Sequence, residues 1–234
     1  MILERLRGLI VSIQPEPASV LNTPETVALL ARCAVAGGAA GVRIEGAARI
    51  AAVRAAVSVP IVGLIKRLYP GFDPYITPTE EEIEGIVVAG AEIVAFDATP
   101  RARPHGHDAA ALIAAIHARG ALAMADCATG AEVRTAAAAG ADIVATTLCG
   151  YTDDTRGHAL PALDVLREAA ATGAFAILEG SVTDPEQVRA AFEAGASAVV
   201  VGTALTNLDA RIRAFSAPAA RQKSAPGNRS PRTV

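Results

Sequence analysis

Aromatic side chains are scarce, at 3% of the 234 residues, and tryptophan is absent. A core without them must come from Val, Ile, Leu and Ala, which suits parallel strands covered by Ala-rich helices. Charge of one sign is also lacking. The net charge is −3, so nothing marks nucleic acid or an anionic membrane as a partner. Cysteine is limited to Cys33, Cys127 and Cys149, odd in number, far apart and in no metal spacing. They read as reduced thiols of a cytoplasmic protein, and no metal site is expected. No run of about 18 uninterrupted apolar residues exists, so no membrane span is expected. Met1 to Ser12 carries Glu4, Arg5 and Arg7 ahead of a short apolar stretch and does not read as a signal peptide.

What is present is a large apolar fraction, 52%, against 19% charged. That is ample core for one domain near the size of an α/β barrel, about 250 residues. An internal echo sets the architecture. Gly38, Gly90, Gly140 and Gly195 each follow an Ala-rich stretch and precede a β-branched run, at steps of 52, 50 and 55 residues. Each step has room for two strand–helix units, so four echoes make the eight units of a (β/α)8 TIM barrel. Strands are expected at Leu9–Ile13, Gly41–Ile44, Ile61–Ile65, Ile93–Phe96, Leu122–Ala125, Ile143–Thr146, Phe175–Leu178 and Ala198–Val201. Helix starts are expected at Thr23-Pro24, Thr79, Asp108, Thr129 and Asp184-Pro185, from their capping residues. The barrel should occupy residues 1–215, ending near Phe215. Residues 216–234, rich in Pro, Ser and basic side chains, read as a disordered basic tail.

In such a barrel the chemistry sits at the carboxyl ends of the strands. The third strand, Ile61 to Ile65, runs straight into Lys66-Arg67. A cation ending an apolar strand is poised for acid–base work. Arg43 and Arg67 nearby, with partial desolvation, would lower its pKa and free a neutral amine. A salt-bridging surface lysine is the plain alternative. Glu179 ends the seventh strand, as a catalytic carboxylate or as a group that only orients a cation. Asp97 and Asp126 end the fourth and fifth, as site residues or as structural acceptors. Gly180-Ser181 and Gly202-Thr203 end the last two strands, where such barrels hold phosphate on backbone N–H groups. Tight turns are the alternative there. His105 and His107 lie in a Pro/Gly loop beside Asp108 and read as surface.

Together the ordered motifs resemble one family. Leu9 to Gln14, Val42 to Gly46, Pro60 to Arg67, Ile76 to Thr79, Asp97 to Pro104, Ala123 to Cys127, Thr146 to Thr152 and Leu178 to Gly180 are similar to the motifs of N-acetylmannosamine-6-phosphate 2-epimerases. The resemblance runs from Met1 to about Phe215. It implies a cytoplasmic enzyme of sialic-acid catabolism that converts N-acetylmannosamine 6-phosphate to N-acetylglucosamine 6-phosphate without a cofactor. It implies Lys66 as the acid/base at C2 and Glu179 as a second catalytic carboxylate. Gln14, Arg43, Asp126 and Tyr151 would hold the sugar, and Gly180, Ser181, Gly202 and Thr203 the phosphate. A homodimer is also implied.

Two positions depart from that pattern. Where the family has Glu-Gly-Arg, this chain has Glu179-Gly180-Ser181, and where it has Thr-Arg, this chain has Thr206-Asn207. Backbone N–H groups at Gly180, Gly202 and Thr203, or the Arg211 side chain, stand as replacements. Two other readings use the same barrel: an aldolase with Lys66 as Schiff-base nucleophile, and a non-catalytic sugar-phosphate sensor.

Overall fold

Eight short apolar runs form eight parallel strands. They are β1 (Gly8–Ile13), β2 (Gly41–Glu45), β3 (Ile61–Leu64), β4 (Ile93–Asp97), β5 (Leu122–Asp126), β6 (Ile143–Ala145), β7 (Phe175–Glu179) and β8 (Ala198–Val201). The computed structural model describes residues 1–223. Each strand pairs with the next, and β8 returns to β1 with Gly8 opposite Ala198 and Val11 opposite Val201. Every expected strand is present, with its bounds moved by one residue at most.

Helices α1 (Ile2–Leu6), α2 (Pro24–Ala36), α3 (Ala47–Ala56), α4 (Glu80–Val88), α5 (Ala109–Ala118), α6 (Gly130–Ala138), α7 (Leu163–Ala171), α8 (Pro185–Glu193), α9 (Thr203–Thr206) and α10 (Leu208–Lys223) complete the order. Thr23, Thr79, Asp108, Thr129 and Asp184 each accept a hydrogen bond from a first-turn N–H, as their sequence positions predict. Such a cap is worth about 1 kcal/mol. Among the described residues no helix is long and apolar enough to cross a membrane.

Side chains along a strand alternate between faces, and the alternation sorts the core into two layers. Ile10, Val62, Leu64, Ile93, Met124, Ile143, Ile177 and Val200 pack together inside the barrel. Val11, Val42, Ile44, Val94, Phe96, Val144, Leu178 and Val199 face outward against the helices. Leu6 of α1 is fully buried with the inner set and closes the amino-terminal end. Gly63 is an outward position of β3. A Cβ there would lie 2.5 Å from Ile86 Cγ2 of α4 and 2.8 Å from the Ala91 Cβ, so its lack of a side chain sets the close approach of α4 to the sheet. The inner parity, carried past the strand ends, aligns Ser12, Gln14, Arg43, Lys66, Asp126, Thr147, Glu179 and Gly202 at the carboxyl end.

The sequence places the end of the last helix near Phe215 and the start of the tail at Ser216. Instead α10 continues to Lys223 with Pro218 inside it. Pro218 forfeits one N–H and crowds the preceding turn, while Ala214, Ala217 and Ala219 favour helix on both sides. The rest of the expected tail, 224–234, lies outside the described residues.

Candidate active site

A cavity of about 610 Å³ opens at the carboxyl end of the barrel. Lys66, Glu179, Gln14, Arg43, Tyr151, Gly180, Ser181, Gly202 and Thr203 all line it. Asp126 does not. It is fully buried, with its Oδ2 2.5 Å from Arg43 Nη2 and its Oδ1 accepting from Thr147 Oγ1 at 2.6 Å. The structure therefore puts Asp126 behind Arg43, where it touches the arginine and not the cavity.

Arg43 is the centre of the buried charge cluster. It is 2% exposed and donates to Asp126 through Nη2 and to Glu179 through Nη1. Thr147 adds a longer contact to Glu179 Oε2 at 3.3 Å. One cation thus serves two carboxylates. Burial pushes Asp126 up, to about 7, against the pull of Arg43 and with the help of Glu179. Arg43 Nε has no partner among the described residues.

Lys66 follows β3 and forms an antiparallel bridge to Ile76. The intervening loop returns over the site and is anchored by Thr77. Thr77 N donates to Ile65 O at 2.8 Å, and its Oγ1 to Ala95 O at 2.7 Å. Lys66 is lowered from the usual lysine value, first by loss of hydration and then by the Arg43 cation. Glu45, Glu179 and Asp126 oppose the shift. Solvent reaches Lys66 through the cavity, which limits its size. Arg67, expected to help, instead turns to Glu81 at 2.9 Å and Glu82 at 3.0 Å.

The opposite rim is built by β7 and β8. Gly180 takes φ 111° and Ser181 φ 57°, a left-handed turn that costs a non-glycine residue about 1–2 kcal/mol. Gly202 lies against Ser12, whose Cβ would be 3.3 Å from an added Cβ. Helix α9 opens at Thr203, and its Thr206 Oγ1 donates to Ser12 O at 2.7 Å. Asn207 and Arg211 also line the cavity.

Other polar strand ends have structural work. Asp97 is fully buried and accepts from Thr99 N and Oγ1, at 2.9 and 2.6 Å, and from Arg101 at 2.7 Å. Arg103 donates to its main-chain oxygen at 2.5 Å. This cage folds the β4–α5 loop. Among the described residues no three His, Cys, Asp or Glu side chains are placed to hold a metal ion.

Known proteins match this geometry and this sequence. The NanE family, described as "Putative N-acetylmannosamine-6-phosphate epimerase", matches residues 27–220. The chain belongs to the NanE family. A "Putative N-acetylmannosamine-6-phosphate 2-epimerase" of Synechococcus elongatus is 43% identical over 218 residues, covering 91% of this chain and 94% of that one. The solved structure of the N-acetylmannosamine-6-phosphate 2-epimerase from Clostridium perfringens superposes with a TM-score of 0.88 at 35% identity, covering 92% of this chain and 95% of that one. The "Bifunctional enzyme NanE/NanK" of Brucella melitensis is 48% identical over 206 residues, 88% of this chain but 39% of that protein. The chain thus spans about two fifths of the length of that relative.

Within this NanE barrel, sequence reasoning missed Tyr75 as a cavity residue, and it put Thr147 at the end of the sixth strand without giving it a role. Thr147 was visible by parity, two residues past Ala145 of β6. Tyr75 lies on the returning β3–α4 loop, and only the bridge at Ile76 brings it to the cavity. Burial raises its phenol above the usual value.

Proposed function

We propose that this protein is a cytoplasmic N-acetylmannosamine-6-phosphate 2-epimerase that forms N-acetylglucosamine 6-phosphate by moving one proton at C2. The family match over residues 27–220 carries the reading. The lowered lysine in the cavity supports its chemistry. In the open-chain sugar C2 bears a proton next to the C1 aldehyde. The neutral Lys66 amine takes that proton, and the C–H pair becomes the enolate delocalised onto the C1 oxygen. Return of a proton to the other face of C2 gives the epimer, with no net change in electrons or atoms.

Glu179, held by Arg43 and Thr147, assists ring opening by moving a proton at a sugar hydroxyl. Gln14 and Tyr151 hold the acetamido and hydroxyl groups, and the Gly180-Ser181 and Gly202-Thr203 turns take the phosphate. Asp126 acts through Arg43, which it fixes in place. The family match favours neither the aldolase nor the sensor. In heavy water the product should carry one deuterium at C2, read by NMR. Conversion with no deuterium at C2 would sink the proton-transfer mechanism.

We also infer a homodimer. Leu205, Leu208, Ile212 and Phe215 are all more than half exposed, with Phe215 at 73%. The spacing of four and three residues places Leu208, Ile212 and Phe215 on one face of α10, and α10 rests mainly on α9. A second copy of the same stripe would cover it. Ile212→Asp should shift the protein to monomer in light scattering. A wild-type monomer at micromolar concentration would refute the dimer.

A further inference from the structure

Among the described residues three cations line the cavity, and their partners separate them. Arg43 is occupied by Asp126 and Glu179. Lys66 is lowered and lies among the reacting groups. Arg211, in the first turn of α10, pairs with no carboxylate among the described residues. Its guanidinium carbon lies 5.6 Å from the centre of the Phe215 ring, close enough for a cation–π contact that steadies the side chain without neutralising it.

Its neighbours are committed elsewhere. Arg213 is ion-paired to Glu16, with Nη1 3.0 Å from Oε2. Asn207 caps α10 by accepting from Ala210 N at 2.9 Å, and its amide lies 3.4 Å from Glu16 Oε1. Neither Ser181 nor Asn207 carries a charge. Arg211 shares the cavity wall with both and with Gly202 and Thr203. A phosphomonoester carries about −1.5 to −2 charge at pH 7, and a guanidinium is its best-matched side chain.

We propose that Arg211 is the specificity residue that selects the phosphorylated sugar, supplying from α10 the positive charge that Ser181 and Asn207 do not. This rests on the epimerase reading. An anion already covered by Arg211 binds through a contact that is the same before and after proton transfer, so its loss weakens binding and leaves the chemical step alone.

The test compares wild type, Arg211→Ala and Arg211→Lys with N-acetylmannosamine 6-phosphate and with its unphosphorylated form. For Arg211→Ala, KM for the phosphorylated sugar should rise about tenfold, or about 1.4 kcal/mol, with kcat nearly unchanged. Activity toward the unphosphorylated sugar should move less than about twofold, and lysine should restore part of the loss. An unchanged KM for the phosphorylated sugar, or an equal loss with both sugars, overturns the assignment. A wild type that turns over neither sugar refutes the epimerase reading instead. Calorimetry with N-acetylglucosamine 6-phosphate then still decides on Arg211, because equal affinity of wild type and Arg211→Ala refutes it without turnover.

Discussion

Replacing Lys66 by alanine should cut C2 epimerisation and C2 deuterium exchange by about 10²–10⁴-fold, the usual contribution of a positioned acid/base. Thermal stability should hardly move, because the side chain reaches solvent through the cavity and closes no core contact. The pH profile carries the sign. The base form is the neutral amine, so kcat/KM should rise with pH as Lys66 loses its proton. The midpoint should lie below the ordinary lysine value of about 10.4, because burial and then Arg43 lower it. Lys66→Arg should be as inactive as the alanine variant at every pH, since a guanidinium stays protonated. Exchange rates followed by NMR at several pH values test all of this. A Lys66→Ala protein that keeps more than about a tenth of wild-type exchange removes Lys66 from the proton path.

The barrel and most residues lining its mouth are legible because two simple rules act together. Repeated Ala-rich helices ending in Gly38, Gly90, Gly140 and Gly195 count the units, and alternation along each strand decides which side chains reach the mouth. Lys66, Glu179 and Arg43 follow from both. The misses have physical reasons. Asp126 has the right parity, but it lies one layer too deep, and depth depends on barrel stagger and on Arg43 covering it. Tyr75 depends on a loop returning by a single bridge at Ile76, which no periodicity encodes. Helices α3 and α7 begin after Gly46 and Ala162 with no side-chain cap, so no local residue marks them. Arg67 looked like a neighbour of Lys66 in sequence, yet successive residues of an extended segment point apart, and it meets Glu81 and Glu82.

The second large effect concerns Arg43. Arg43→Met keeps an unbranched apolar stem and removes the cation, leaving Asp126 and Glu179 facing each other in a buried space. Removing one partner of a buried ion pair costs about 3–5 kcal/mol, so the melting midpoint at pH 8.5 should fall by roughly 6–20 °C for a chain of this size. The loss should depend on pH in a fixed direction. Asp126 already stands at about 7 in the folded wild type, above the unfolded carboxylate value of about 3.9, and it rises further without the guanidinium. A group raised in this way holds its full stabilising share below the unfolded value and loses it as pH climbs through the folded one. The gap between wild type and Arg43→Met should therefore be smallest near pH 5 and widest above pH 8. Adding Asp126→Asn to Arg43→Met removes one of the two carboxylates, so it should recover stability at pH 8.5 and little at pH 5. Denaturant titrations of the three proteins at the two pH values measure this. A gap that stays constant with pH would mean that the two carboxylates do not compete for Arg43.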